Sequence, residues 1–165
     1  TLFGIDHSSR LRRLMLVSSS CGAPKGDYRE HFAVLHRLAV EKGMEAVFEH
    51  PEFRSLVPPR MLEEGGGQEY RRSFLRNTPQ TYADTAEALF SMPDLSARLK
   101  NISVPTWVCY GADDPGPMAY ADAYKKNIPD CTPCILQGSG HFPVWDNPEG
   151  LLREMFKFLD AHPVK

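Results

Sequence analysis

The sequence predicts an α/β fold: a partial doubly wound parallel sheet of about three strands, interrupted by an all-helical insert. Three observations carry this. The apolar runs L-M-L-V (14–17), T-W-V-C-Y (106–110) and C-I-L-Q (134–137) do not alternate polar and apolar residues. Unbroken runs of this length suit strands covered on both faces, as in a parallel sheet. Helical stripes follow the second and third runs, the strand–helix–strand order of a crossover unit. Only helical signals occupy the long stretch between the first and second runs. Residues 1–21 and 101–165 are therefore assigned to the sheet-bearing core, and 22–100 to the insert.

Each element has its own local reason. Arg12 and Arg13 precede the first run, and serines 18–20 follow it. In the insert, Tyr28, Phe32, Leu35 and Ala39 mark one helix, stopped near Gly43. A short second helix is expected over 44–50, ended by Pro51. Prolines and Gly65, Gly66 and Gly67 break up 51–67, which reads as a loop. Thr78 and Pro79 open a further helix carrying Tyr82, Ala86 and Leu89. Residues 94–100 read as a short helical turn.

Between the second and third runs, Pro117, Met118, Ala121 and Tyr124 predict a helix over 117–127. Near the end, Asn147 can cap a helix, Pro148 fits its first position, and Glu149 favours its positive end. Leu152, Met155, Phe156 and Leu159 fall at i, i+3, i+4 and i+7, a stripe expected to pack on the sheet.

Bulk properties narrow the function classes. A chain of 165 residues reads as one domain and can bury a core without staples. The net charge of −2 offers no basic face for nucleic acid. No apolar run is long enough to span a membrane, and no secretory signal is visible. The first residue is Thr1 rather than Met, as expected of a processed chain or a piece of a longer one. The four cysteines are Cys21, Cys109, Cys131 and Cys134. C-T-P-C (131–134) has redox or half-zinc-site spacing, but it leads into a strand rather than a helix, and no second pair completes four ligands. Half-buried structural thiols are expected, in keeping with a reducing, cytoplasmic setting.

The chemistry gathers at two strand ends. The second run ends in Y-G-A-D-D-P-G (110–116), and the third in Q-G-S-G-H-F-P (137–143). Open α/β sheets keep their sites just past the carboxyl ends of strands. Asp114 and His141 are 27 residues apart, the span of one crossover, so both emerge at one edge on neighbouring strands. An Asp and a His so placed can form the orienting half of a nucleophile–His–acid triad. Separately, each has a bland reading: an Asp that caps a turn, a His that is merely solvated. Asp113 competes with Asp114 for the acid. Trp107 reads as core, while Trp145 either faces the pocket or packs under the closing helix. His7, His31, His36, His50 and His162 show no metal-ligand spacing such as H-E-x-x-H and read as surface residues, so no metal or cofactor is expected.

Taken together, these motifs resemble the C-terminal half of an α/β-hydrolase. R-L-R-R-L-M-L-V-S-S resembles that family's sixth strand, and the helical insert resembles its lid. N-I-S-V-P-T-W-V-C-Y-G-A-D-D resembles the seventh strand with its acid. G-S-G-H-F-P resembles the eighth-strand turn with the catalytic histidine, and N-P-E-G-L-L-R-E-M-F-K-F-L the closing helix. Acid before histidine is the family's order. The resemblance implies a hydrolase of a small organic substrate, with Asp114 and His141 as catalytic residues.

One family feature is absent. No G-x-S-x-G elbow occurs in the sequence, and T-L-F-G-I-D-H (1–7) resembles the tail of the helix that follows it. Three readings follow. The chain is a piece of a hydrolase whose N-terminal half is elsewhere; or it is an inactive interaction module derived from one; or it uses a local nucleophile, Ser139 or Cys21. The bond cleaved (ester, lactone, amide, carbon–carbon or carbon–halogen) depends on the absent nucleophile and oxyanion loop. The run 14–17 would be an edge that is interior in the complete fold. The expected partner is therefore the missing N-terminal half, or a second copy pairing at Leu14–Val17.

Overall fold

The computed structural model describes residues 1–24, 26–55, 57–62, 66–114 and 119–163. In chain order come α1 (Leu2–Asp6), a 3₁₀ turn (Ser8–Arg10) and β1 (Leu14–Val17). Six helices follow: α2 (Tyr28–Lys42), α3 (Met44–Glu49), α4 (Pro51–Ser55), α5 (Pro59–Leu62), α6 (Gly66–Phe74) and α7 (Pro79–Phe90). The chain then runs through a 3₁₀ turn (Ser96–Asn101), β2 (Thr106–Gly111), α8 (Ala121–Asn127), β3 (Cys131–Leu136), α9 (Pro143–Asp146) and α10 (Pro148–Ala161). These elements form two compact units: Thr1–Gly22 with Pro93–Lys165, and Ala23–Met92.

The first unit holds a three-stranded parallel sheet in the order β1-β2-β3. Central β2 is buried at every residue, as its unbroken apolar run requires. One face packs Leu16, Val108 and Tyr110 against Ile5, Leu99, Ile102 and Tyr124. The other packs Trp107, Cys109 and Leu136 against Leu151 and Phe158 of α10. Pro117 and Met118, expected to open the helix before β3, lie outside the described residues. β3 begins at Cys131 rather than Cys134 and so contains Pro133. A strand at the sheet edge tolerates proline, because its outer side needs no ladder N–H.

The run L-M-L-V reads as covered on both faces, yet Met15 and Val17 are 40% and 38% exposed. The cluster under α10 is built from β2, β3 and the helix, and does not extend to that face of β1. The closing helix also presents a different stripe. Leu151 and Phe158 are buried with Met155 and Leu159 packed beside them, while Leu152 and Phe156 are 46% and 56% exposed. Two apolar stripes run side by side on α10, and one residue's offset, about 100°, decides which meets the sheet.

The helix termini are held as their residues suggest. Asn147 Oδ1 accepts from Gly150 N–H at 3.0 Å, with Pro148 in the first turn. At the other end Arg13 Nη1 donates to the carbonyls of Leu159 (3.0 Å) and His162 (2.7 Å). That charge-assisted cap ties the start of β1 to the end of α10 and contributes about 1–2 kcal/mol.

Among its described residues the second unit is helical. Gly43 ends α2 at φ 84°, a left-handed conformation that glycine adopts without strain. Thr78 and Thr81 form a capping box at the start of α7. The expected loop over 51–67 is corrected: it contains α4, α5 and the start of α6, while Gly65 lies outside the described residues. Pro51 and Pro59 are the first residues of their helices, where a missing N–H costs nothing, so they start helices rather than break them. Phe48, Phe53, Tyr70 and Phe74 form an aromatic cluster, with Phe53 and Phe74 ring centroids 4.5 Å apart. No helix among the described residues is long and apolar enough to cross a membrane.

Candidate active site

The ends of β2 and β3 are stitched together beyond the sheet. Ala112 N–H donates to Leu136 O at 2.9 Å, and Asp113 N–H to Ser139 O at 3.0 Å. Gly111 makes this approach feasible. A β-carbon there would fall inside the van der Waals shells of the Ser139 and Gly140 carbonyl oxygens. The glycine turn carrying His141 is fastened from its far side by Asp146, whose Oδ2 accepts from Gly140 N–H at 2.8 Å.

These contacts bring Asp114 and His141 together. Asp114 Oδ2 lies 2.8 Å from His141 Nδ1. The two side chains are 6% and 47% exposed. The acid is thus withdrawn from water while the imidazole reaches it. Asp114 fixes the tautomer with the proton on Nδ1 and leaves Nε2 to exchange a proton with another group. Asp113 is exposed, and its backbone N–H holds the turn, so burial separates the two candidate acids. The Phe142 and His141 rings pack edge-to-face, with centroids 5.1 Å apart.

The proposed local nucleophiles are placed otherwise. Ser139 is buried, with Oγ directed to Gly140 O (3.4 Å) and Asp146 Oδ2 (3.5 Å). Cys21 is fully buried in the cluster of Leu95, Tyr110 and Tyr120, with Sγ 3.4 Å from Ser96 Oγ. Among the described residues neither hydrogen-bonds His141. Trp107 is core and Trp145 is partly exposed. Of the remaining histidines, His7 and His31 are exposed, and His36, His50 and His162 half-buried. Among the described residues no group of three or more His, Cys, Asp or Glu is placed to hold a metal ion.

Two contributors escape a reading of the sequence. Asp146 looks like part of the next helix's cap, and Gly111 like an ordinary turn glycine. Apart from the pair, Ser18 adopts φ 46° at the carboxyl end of β1, and its buried Oγ has no hydrogen-bond partner among the described residues.

Gly111→Ala is expected to cost about 1–3 kcal/mol, because backbone rather than a flexible side chain occupies the space. It should also part Asp114 from His141. Thermal denaturation gives the first effect, and loss of the downfield His141 Nδ1–H proton resonance the second. An unchanged melting temperature with that resonance retained would contradict this packing.

The sequence matches the model of the alpha/beta hydrolase family over residues 7–154. No curated protein matches it. Among solved structures it resembles a carboxylesterase of the thaumarchaeon Nitrososphaera gargenis, at TM-score 0.77 and 20% identity over 97% of this chain and 60% of that one. It also resembles an esterase of Thermogutta terrifontis, at TM-score 0.74 and 20% identity over 98% and 60%. The enol-lactonase of Burkholderia xenovorans LB400 matches at 0.73 and 19%, over 96% and 60%. The chain thus spans about 60% of the length of these structures. From the match across most of its length, the chain belongs to the alpha/beta hydrolase family.

Proposed function

We propose that this chain supplies the acid and histidine of a hydrolase that cleaves an ester or lactone of a small organic molecule. The single observation that carries the reading is the hydrogen bond that His141 Nδ1–H donates to Asp114 Oδ2 at the carboxyl edge of the sheet. In the proposed cycle a serine from polypeptide outside residues 1–165 attacks the carbonyl carbon. His141 Nε2 takes the serine's proton and returns it to the leaving oxygen, and water then repeats the sequence to release the acid. Asp114 accepts the Nδ1–H hydrogen bond and so stabilises the imidazolium as it forms. The ester and lactone preference is an inference from the esterases and the lactonase that share the fold. The helical unit Ala23–Met92 corresponds in this reading to the family's lid.

Support for an outside nucleophile comes from the sequence, which has no G-x-S-x-G, and from the burial of Ser139 and Cys21. The proposed partner is the N-terminal half that would pair with β1, whose outer edge has no strand neighbour among the described residues. Residues 1–165 alone should hydrolyse a nitrophenyl ester no faster than buffer. Turnover that disappears in His141→Ala would place the nucleophile within this chain and overturn that part of the reading.

A further inference from the structure

Cys109 and Cys134 are register partners on adjacent parallel strands, so their side chains leave the same face of the sheet. Their sulfurs are 3.6 Å apart. Parallel neighbours have α-carbons about 4.8 Å apart, within the range a disulfide spans. Closure therefore needs a movement of the two sulfurs and none of the strands. Cys131 is not the partner its spacing suggests. In a strand, positions i and i+3 point to opposite faces, and Cys131 packs on the other side of the sheet.

The two thiols are unequal. Cys109 is fully buried under α10. Cys134 is partly exposed on the wall of a cavity of about 620 Å³ between β3 and α10. The Cys109 thiol donates toward Cys134, which holds the Cys134 thiol below the ordinary range and, with burial, pushes Cys109 up. The more acidic sulfur is thus the one a small reagent can reach, and its neighbour lies behind it.

We propose that Cys134 and Cys109 form a peroxide-sensitive thiol pair, with Cys134 the attacking sulfur and Cys109 the resolving one. The Cys134 thiolate attacks hydrogen peroxide: an S–O bond forms, the O–O bond breaks, and the departing hydroxide leaves as water after protonation. Cys109 then attacks the sulfenic sulfur: the S–S bond forms, the S–O bond breaks, and the thiol's proton leaves with hydroxide as a second water. Both sulfurs are oxidised by one step and one peroxide is reduced. A small thiol reverses the bond by exchange at Cys134. The link joins the two strands whose ends carry Asp114 and His141.

The test treats the folded chain with hydrogen peroxide, blocks remaining thiols after denaturation and maps peptides by mass. Titratable thiols should fall from four to two. One intramolecular linked pair should contain Cys109 and Cys134, and dithiothreitol should restore both. In Cys109→Ser, Cys134 should stop at a sulfenic acid that dimedone traps. A link to Cys131 or Cys21, a link between chains, or sulfinic acid at Cys134 with Cys109 still reduced in the unsubstituted protein would each overturn the proposal. The mapping on the unsubstituted protein decides the matter even if a variant fails to fold.

Discussion

Asp114→Asn, in a form of the protein that turns over an ester, is expected to lower kcat by roughly 10⁴ while leaving the fold nearly unchanged. The carboxylate is buried, and its charge is applied to His141 Nδ1 at 2.8 Å. An amide of the same shape fills the space but no longer enforces the Nδ1–H tautomer. It also carries no charge to offset the imidazolium that forms as the nucleophile loses its proton. The effect should fall on kcat and kcat/KM together, because the interaction strengthens only on the way to the transition state. Stability should change by less than about 1 kcal/mol, since neutralising a buried carboxylate removes a desolvation cost as it weakens one hydrogen bond. Asp113→Asn provides the control and should leave kcat within a few-fold. If both variants lose activity equally, or if Asp114→Asn loses less than about tenfold, Asp114 is not the orienting acid.

The second large effect concerns β1. Its residues 14–17 carry no lysine, proline or inward charge, the usual devices that blunt an edge. Met15 and Val17 stand open on one face of the sheet, and Leu152 and Phe156 on α10 are also bare. Covering roughly 200–300 Å² of such surface at about 25 cal/mol per Å² supplies on the order of 5–7 kcal/mol, before the unpaired N–H and C=O groups of the edge are counted. Residues 1–165 at micromolar concentration are therefore expected to associate, two copies pairing through Leu14–Val17 in the absence of a completing chain. Met15→Lys places a charge on that face and should shift the association at least tenfold toward monomer. Sedimentation velocity reads both. A monodisperse 18.6 kDa species with ordinary thermal stability, unaffected by Met15→Lys, would mean that the edge is already protected.

Much of this arrangement can be read from residue order, and the reasons differ by element. The strands of a parallel sheet are buried on both faces, so T-W-V-C-Y announces itself by composition alone. The Asp114–His141 pair follows from topology, because one crossover places consecutive strand ends side by side. Side-chain facing is harder to see. Leu151 and Leu152 are both apolar, and no sequence pattern says which of two adjacent stripes on α10 meets the sheet. Pro51 and Pro59 look like breakers because proline both ends and begins helices. The Cys109–Cys134 contact is a matter of strand register between distant segments, and the nearer C-T-P-C spacing draws attention to the wrong pair. Gly111 shows its purpose only once the Ser139–Gly140 backbone lies against it.

His141 is proposed to serve a nucleophile outside residues 1–165. Mass mapping after reaction with a fluorophosphonate, which becomes covalently attached to an activated serine, tests it most directly. The expected result is that the chain alone stays unlabelled. Combined with the proposed N-terminal half, it should carry one labelled serine, on that half, and His141→Ala should abolish the label. A label on Ser18, Ser139 or any other residue of this chain would contradict the claim and place the nucleophile inside it.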